Sequence, residues 1–259
     1  MGGTWVVPWQ SPERGRTALL CLAPAGAGCG QFRPWQSALG PGVSVMGVQL
    51  PGRERRWAEP PAVSVDEVVT AVVDELTALV PAARPLMVFG HSFGGLLGYE
   101  ITRRLGEVHG RWPATLVVAA CRPPQMWVGA GRGLVDDDEE LVRLLDVRGL
   151  GDDELDEDSR ELMLEVLRED ARLSMTYTDA GAPRVHASVE AWGGEGDGTV
   201  TADHLAGWRH RTAADFRRRQ FPGGHYFTAE RAGLVVPALR ELAAHGVAGV
   251  RRLRRTSGG

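Results

Sequence analysis

Three residues in this chain have the types and settings for nucleophilic catalysis: Ser92, Asp197 and His225. A serine hydroxyl is a weak nucleophile until a base takes its proton, so the serine alone means little. Ser92 lies in Gly90-His91-Ser92-Phe93-Gly94, a G-x-S-x-G pattern. In a chain with 34 glycines that pattern needs its context. The apolar run Leu86-Met87-Val88-Phe89 stops at Gly90, and helical spacing begins at once through Leu96, Leu97, Tyr99, Ile101 and Leu105. This predicts a strand, a sharp turn and a helix, the setting in which such a serine projects clear of the backbone. An ordinary turn with serine as the helix N-cap is the alternative.

His225 sits in Phe221-Pro222-Gly223-Gly224-His225-Tyr226-Phe227, a glycine-rich turn after the strand-like Phe216 to Phe221. Asp197 sits in Gly193-Gly194-Glu195-Gly196-Asp197-Gly198-Thr199-Val200, just beyond a strand-like run from Val185 to Trp192. An aspartate so placed can orient a histidine, which then serves as the base. The order serine, aspartate, histidine is the one used by serine hydrolases built on an open α/β sheet. Such sheets carry their sites beyond the C-terminal ends of the strands, where all three residues are expected. His91 lies within the turn, with geometry that points it away from the serine hydroxyl. His109, His204, His210 and His245 fall in helical or polar segments, and Asp203 and Asp215 lie further from a strand end than Asp197.

An oxyanion formed at Ser92 needs N–H donors. The backbone of Phe93 is one candidate, at the positive end of the new helix. The loop Ala23-Pro24-Ala25-Gly26-Ala27-Gly28, which ends the apolar strand Thr17 to Leu22, offers Gly26 or Ala27 as the other. A flexible linker is the bland reading of that loop.

These residues must be held by an α/β body. Thr17 to Leu22, Val43 to Val48, Leu86 to Phe89 and Thr115 to Ala120 are short continuous apolar runs, as buried parallel strands require. Ser64-Val65-Asp66-Glu67 reads as a capping box, opening a helix with Val65, Val68, Val69, Val72, Leu76 and Leu79 inward and ending by Pro81. Residues 1–15 read as an irregular arm. From about 124 to 182 the character changes to acidic runs and amphipathic helices, with Leu141, Leu144 and Leu145 on one face and Leu162, Val166 and Leu173 on another. An insertion of this kind over the mouth of a sheet is expected to act as a lid. Its Met126, Trp127, Met163 and Met175, with Phe93 and Tyr226 from the body, are expected to meet an apolar substrate. The alternative is that these side chains only pack the helices down. Leu50-Pro51-Gly52-Arg53-Glu54-Arg55-Arg56 is either a solvated strand end or a rim for an acidic partner. Leu234, Leu239 and Leu242 mark a closing helix, and residues 250–259 read as a disordered tail.

Composition narrows the options further. The chain has 259 residues, 43% hydrophobic and 24% charged, enough for a single α/β domain. A net charge of -4 gives no basic field for nucleic acid. No apolar stretch has the length of a membrane span, and no signal peptide is evident, so a cytoplasmic setting is expected. Cys21, Cys29 and Cys121 are too few and too scattered for zinc or a disulfide framework. All 29 basic residues are arginine, which removes Walker, Schiff-base and Ser-Lys chemistry. No asparagine is present, which removes a Cys-His-Asn site.

Several stretches together resemble the type II thioesterases that accompany modular polyketide synthases and nonribosomal peptide synthetases. They are Pro24 to Gly28, Phe32 with Trp35, Gln49 to Glu54, Gly90 to Gly94, Leu167-Arg168-Glu169-Asp170, Gly207-Trp208-Arg209 and Phe221 to Phe227. The resemblance implies an α/β-hydrolase fold with a mostly parallel sheet, helices on both faces and a helical lid. It also implies hydrolysis of acyl groups from the phosphopantetheine arm of acyl or peptidyl carrier domains, with no metal or organic cofactor on the enzyme. The family usually has histidine where this chain has Ala25, and often methionine where it has Phe93. An esterase acting on small free esters and a silent binding module on the same fold are the rival readings.

Overall fold

The computed structural model describes residues 3–11, 16–135, 137–147, 156–179, 181 and 183–256, with side chains of 144–147 and 245–256 excepted. In chain order the elements are β1 (Val6–Pro8), β2 (Thr17–Leu22), α1 (Arg33–Leu39), β3 (Val43–Val48), α2 (Val65–Leu79), β4 (Leu86–His91), α3 (Phe93–His109) and β5 (Thr115–Ala119). Then follow α4 (Arg132–Val135), α5 (Asp138–Val147), α6 (Glu157–Met175), β6 (Ser188–Gly194), α7 (Ala202–Gly207), β7 (Phe216–Phe221), α8 (Phe227–Glu230) and α9 (Ala232–Thr256). Seven strands form one sheet in the order β1-β3-β2-β4-β5-β6-β7. Only β1 runs antiparallel to its neighbour.

The apolar runs of the central strands are continuous because both sheet faces are covered. In β4, Leu86 and Val88 enter one core with Val68, Val72 and Leu76 of α2 and Leu96 and Ile101 of α3. The alternate residues Met87 and Phe89 enter the other core, with Phe32, Trp35 of α1 and Val235 and Leu239 of α9. Phe89 is fully buried within an aromatic cluster, edge-on to Trp35 at 5.0 Å and to Phe32 at 5.8 Å between ring centres. These two cores fix β4 rigidly, and β4 ends at the turn that carries Ser92.

Between β5 and β6 lie α4, α5 and α6. Leu141 and Leu167 form a small separate core there, with Leu134, Met163 and Leu164, and Ala25 of the loop after β2 packs on it. The inward face of α6 is Leu167, Asp170, Ala171, Leu173 and Ser174. Leu162 points to solvent, so the expected Leu162 stripe is offset. The helix seats the small side chains Ala171 and Ser174 at i+4 and i+7 from Leu167, allowing close approach to the body.

Four other expectations shift. The N-terminal arm contains β1, paired with β3 from Val6↔Val48 to Pro8↔Met46. β3 would otherwise be an open edge, and this strand covers it. The strand after residue 185 begins only at Ser188; Val185 makes an isolated bridge to Thr212. Ser64 caps α2 through the Glu67 N–H, but the Glu67 carboxylate turns to the Val63 N–H and leaves the box half closed. Finally, α9 runs to Thr256, past the start of the expected tail. Its end is rich in arginine, a good helix former, and has no proline. Residues 257–259 and most of the acidic run 152–158 lie outside the described residues, as do the side chains of Leu144, Leu145 and His245. Among the described residues no helix is long and apolar enough to cross a membrane.

Phe89 anchors the strand that leads into Ser92. Phe89→Ala is expected to lower unfolding free energy by about 3–5 kcal/mol, measured from denaturant midpoints. A loss below about 1 kcal/mol would mean that the aromatic cluster closes over the gap.

Candidate active site

The turn at Ser92 follows from crowding. Ser92 has φ 52 and ψ -119, a left-handed conformation unusual for a residue with a side chain. Its N–H donates to the Ala119 carbonyl and its own carbonyl accepts from Gly95, both at 2.8 Å. A Cβ on Gly90 would lie 2.1 Å from the Gly94 carbonyl oxygen, and one on Gly94 would lie 2.4 Å from that of Ala23. Only glycine therefore permits this packing of α3 against the ends of β2 and β4.

The three residues singled out from the sequence meet here. Ser92 Oγ donates to His225 Nε2 at 3.1 Å. His225 Nδ1 donates to Asp197 Oδ2 at 2.9 Å. An ionised carboxylate only accepts, so the Nδ1 proton is held there and Nε2 is left to accept from Ser92. The other oxygen of Asp197 accepts from the N–H groups of Thr199 and Val200 at 2.8 and 3.0 Å. Burial pushes the Asp197 carboxyl up, but the bond and charge of His225 and these two N–H groups outweigh it. The carboxyl is held below its ordinary range.

The histidine's loop is itself anchored. His91 Nε2 donates to the His225 carbonyl at 2.9 Å, and His91 Nδ1 accepts from Thr228 Oγ1 at 2.8 Å. His91 is buried and points away from Oγ, as expected from its position, yet it ties the nucleophile's turn to the base's loop. Sequence reasoning did not identify that role. Periodicity carries no sign of it, because the bond joins residues 134 positions apart.

A cavity of about 720 Å³ opens over Ser92 and His225. Its walls include Phe93, Trp127, Tyr226 and Leu167, so three of the six residues expected to meet substrate line it. Phe93 and Trp127 lie 5.8 Å apart between ring centres, and the Trp127 indole is fixed by donation to the Arg122 carbonyl. Met126, Met163 and Met175 do not reach the cavity. Met126 and Met175 face solvent, and Met163 packs in the small core of the insertion.

Two further expectations are corrected. The N–H of Gly26 donates to Asp170 Oδ2 at 2.6 Å and that of Ala27 to the Pro24 carbonyl at 3.1 Å. Neither is turned to Ser92; the loop residues on the cavity are Pro24 and Ala25. Phe93 does stand at the first position of α3, where an N–H has no partner within the helix. The arginines read as a solvated strand end or a rim are mostly interior. Arg53 makes a two-pronged buried pair with Asp170, and Arg56 binds Glu59 and the Gln49 carbonyl while stacking on Trp5. Of the three, only Arg55 is a solvated side chain.

The cysteines are poorly placed to act as thiolates. All three cysteines are buried; burial raises Cys21 and Cys121, and burial with the nearby Glu54 carboxylate pushes Cys29 up to about 12. Among the described residues no group of three His, Cys, Asp or Glu side chains is placed to hold a metal ion.

Comparison with known proteins identifies the family. Residues 17–242 match the Thioesterase domain family. The chain is 31% identical over 229 residues to thioesterase PikA5 of Streptomyces venezuelae, covering 87% of this chain and 80% of that one. It is 34% identical over 235 residues to the AMB antimetabolite synthetase AmbE of Pseudomonas aeruginosa, but spans only 10% of that much longer protein. Among solved structures, the type II thioesterase BorB of the borrelidin biosynthetic cluster aligns with a TM-score of 0.82 at 30% identity, over 92% of this chain and 97% of that one.

The lowered Asp197 carboxyl makes a pH prediction. A group held low in the folded state adds stability above its unfolded pKa of about 3.9, and loses it as pH falls toward the folded value. In Asp197→Asn the fall of unfolding free energy below about pH 4 is expected to be shallower than in the parent. Parallel curves from denaturation at a series of pH values would show that the carboxylate gains nothing from its three donors.

Proposed function

Since the chain belongs to the thioesterase domain family, we propose that it hydrolyses acyl groups from the phosphopantetheine arm of acyl or peptidyl carrier domains. The observation that carries this reading is the hydrogen-bonded series Ser92, His225, Asp197 at the floor of a largely apolar cavity. His225 Nε2 takes the Ser92 proton as Oγ attacks the thioester carbonyl. The C–S bond then breaks, the thiol leaves with the proton from Nε2, and an acyl-Ser92 remains. Water, activated by the same nitrogen, releases the acid. Asp197 fixes the imidazole and stabilises it while it carries charge.

The developing oxyanion is served by the Phe93 N–H at the positive end of α3. We assign the second donor to the loop at Ala25, which borders the cavity beside Ser92 and Phe93. The reaction uses the chain's own side chains; the phosphopantetheine belongs to the substrate. The segment holding α4, α5 and α6 serves as the lid, a reading supported by Trp127, Leu134 and Leu167 on the cavity wall. The free cysteines suit a reducing compartment, the cytoplasm. The acyl group is an apolar one, since each buried methylene adds about 0.8 kcal/mol to binding.

Two measurements test this. Ser92→Ala is expected to keep the fold and lose about 10⁶-fold in kcat, with His225→Ala similar and Asp197→Ala nearer 10⁴-fold. Turnover by Ser92→Ala within tenfold of the parent would end the nucleophile assignment. The kcat/KM for an acyl-carrier is expected to exceed that for the same acyl group on a small free thiol. Equal values, or faster hydrolysis of small oxygen esters, would remove the carrier from the proposal and favour an esterase.

A further inference from the structure

The buried carboxylate of Asp170 plays no part in the scheme above, yet it borders the same cavity. It is 1% exposed, and each oxygen is taken: Oδ1 accepts from Arg53 Nη2 at 2.6 Å, and Oδ2 from Arg53 Nη1 and from the Gly26 N–H, both at 2.6 Å. Arg53 Nη1 also reaches the Ala27 carbonyl at 3.4 Å. One carboxylate on α6 thus grips the loop after β2 and the segment after β3, 144 and 117 residues away in sequence. Glu54 holds the same loop from below. Its Oε1 accepts from the Gly30 N–H at 3.0 Å, and a Cβ on Gly28 would lie 2.0 Å from it. The loop is therefore clamped at Gly26, Ala27 and Gly30, and Pro24 and Ala25 line the cavity.

The backbone just before that wall meets the Ser92 turn directly. The Leu22 and Ala23 carbonyl oxygens lie within 2.5 Å of where a Gly94 Cβ would be. A shift of the loop therefore moves the surface against which a carbonyl at Ser92 must sit. Charge-assisted, two-pronged pairing resists such a shift in a way that apolar packing does not.

We propose that Asp170 is a positioning residue that ties the seating of α6 to the geometry of the loop beside Ser92. The cavity wall is correctly formed only when the insertion helix is docked with its carboxylate on Arg53 and Gly26. This rests on the thioesterase reading, in which the loop lies beside the scissile carbonyl.

The test is Asp170→Asn, which keeps the shape and loses the charge, with Arg53→Lys, which keeps the charge and loses the two-pronged grip. Each is assayed below its own melting temperature on a small acyl thioester, and each is titrated with an alkyl boronic acid that forms a tetrahedral adduct on Ser92. A positioning role predicts a fall in kcat on the order of 10²-fold, the scale of a misplaced oxyanion contact, with KM within about threefold. Boronate affinity should fall in parallel with kcat, which a purely structural loss would not produce. The proposal is overturned if either folded variant retains kcat within threefold of the parent, or if kcat falls while boronate affinity does not. If Asp170→Asn does not fold, Arg53→Lys decides by the same criteria. If neither folds, hydrogen exchange of the Gly26 amide in the parent decides: protection equal to that of α6 supports the clamp, and free exchange overturns it. A parent that neither hydrolyses thioesters nor binds boronate would instead fail the thioesterase reading itself.

Discussion

Everything at this site depends on holding Ser92 in a conformation that an isolated chain avoids. A left-handed non-glycine residue costs on the order of 1–3 kcal/mol and persists only where its surroundings leave no alternative. Here β4 is paired on both sides, by β2 and β5, and packed on both faces. The Ser92 N–H is taken by Ala119 on the neighbouring strand, so the turn cannot relax without breaking the sheet. The non-glycine residues with left-handed backbone among the described residues are Glu54, Ser92 and Ala120. Ser92 and Ala120 line the cavity, and Glu54 braces its loop. The strain is concentrated around the cavity and is borne by the sheet.

His225 is held as firmly as Ser92, and the polar contacts hold it in layers. Asp197 accepts three N–H groups and so presents one fixed oxygen to His225. His91 holds the carbonyl of that same histidine and is in turn held by Thr228. The imidazole is thus constrained through both its ring and its backbone. Such preorganisation lets the site meet developing charge without rearranging when the reaction occurs.

The insertion differs in kind from the body. Its described core is small, centred on Leu141 and Leu167, and its outer surfaces carry surface ion pairs such as Arg168 with Asp138. Such exposed pairs are individually weak. A buried, two-pronged polar tie joins α6 to the body at Asp170, placed where the helix borders the cavity. The helix that lines the cavity is therefore the one held to the body by this buried pair.

Much of this was legible in the sequence. The strands at Thr17, Val43, Leu86 and Thr115 are short apolar runs, and a run buried on both faces needs no partner to be recognised. The G-x-S-x-G turn is a local steric requirement written in local residues. Asp197 and His225 were legible because each occupies a glycine-rich turn directly after a strand, and parallel strands bring such turns to one edge. Tertiary structure alone decided what depends on residues far apart. The arginines after β3 look solvated by composition; Arg53 is interior because Asp170, on a distant helix, meets it. Gly26 looks like a free donor until the same carboxylate claims its N–H. Met126, Met163 and Met175 have the chemistry of a substrate pocket, but the rotation of a helix sets which side chains face inward, and here Leu167, Ala171 and Ser174 do. Local pattern specifies an element and its turns, whereas the partner of a charge and the facing of a surface are fixed only when the elements pack.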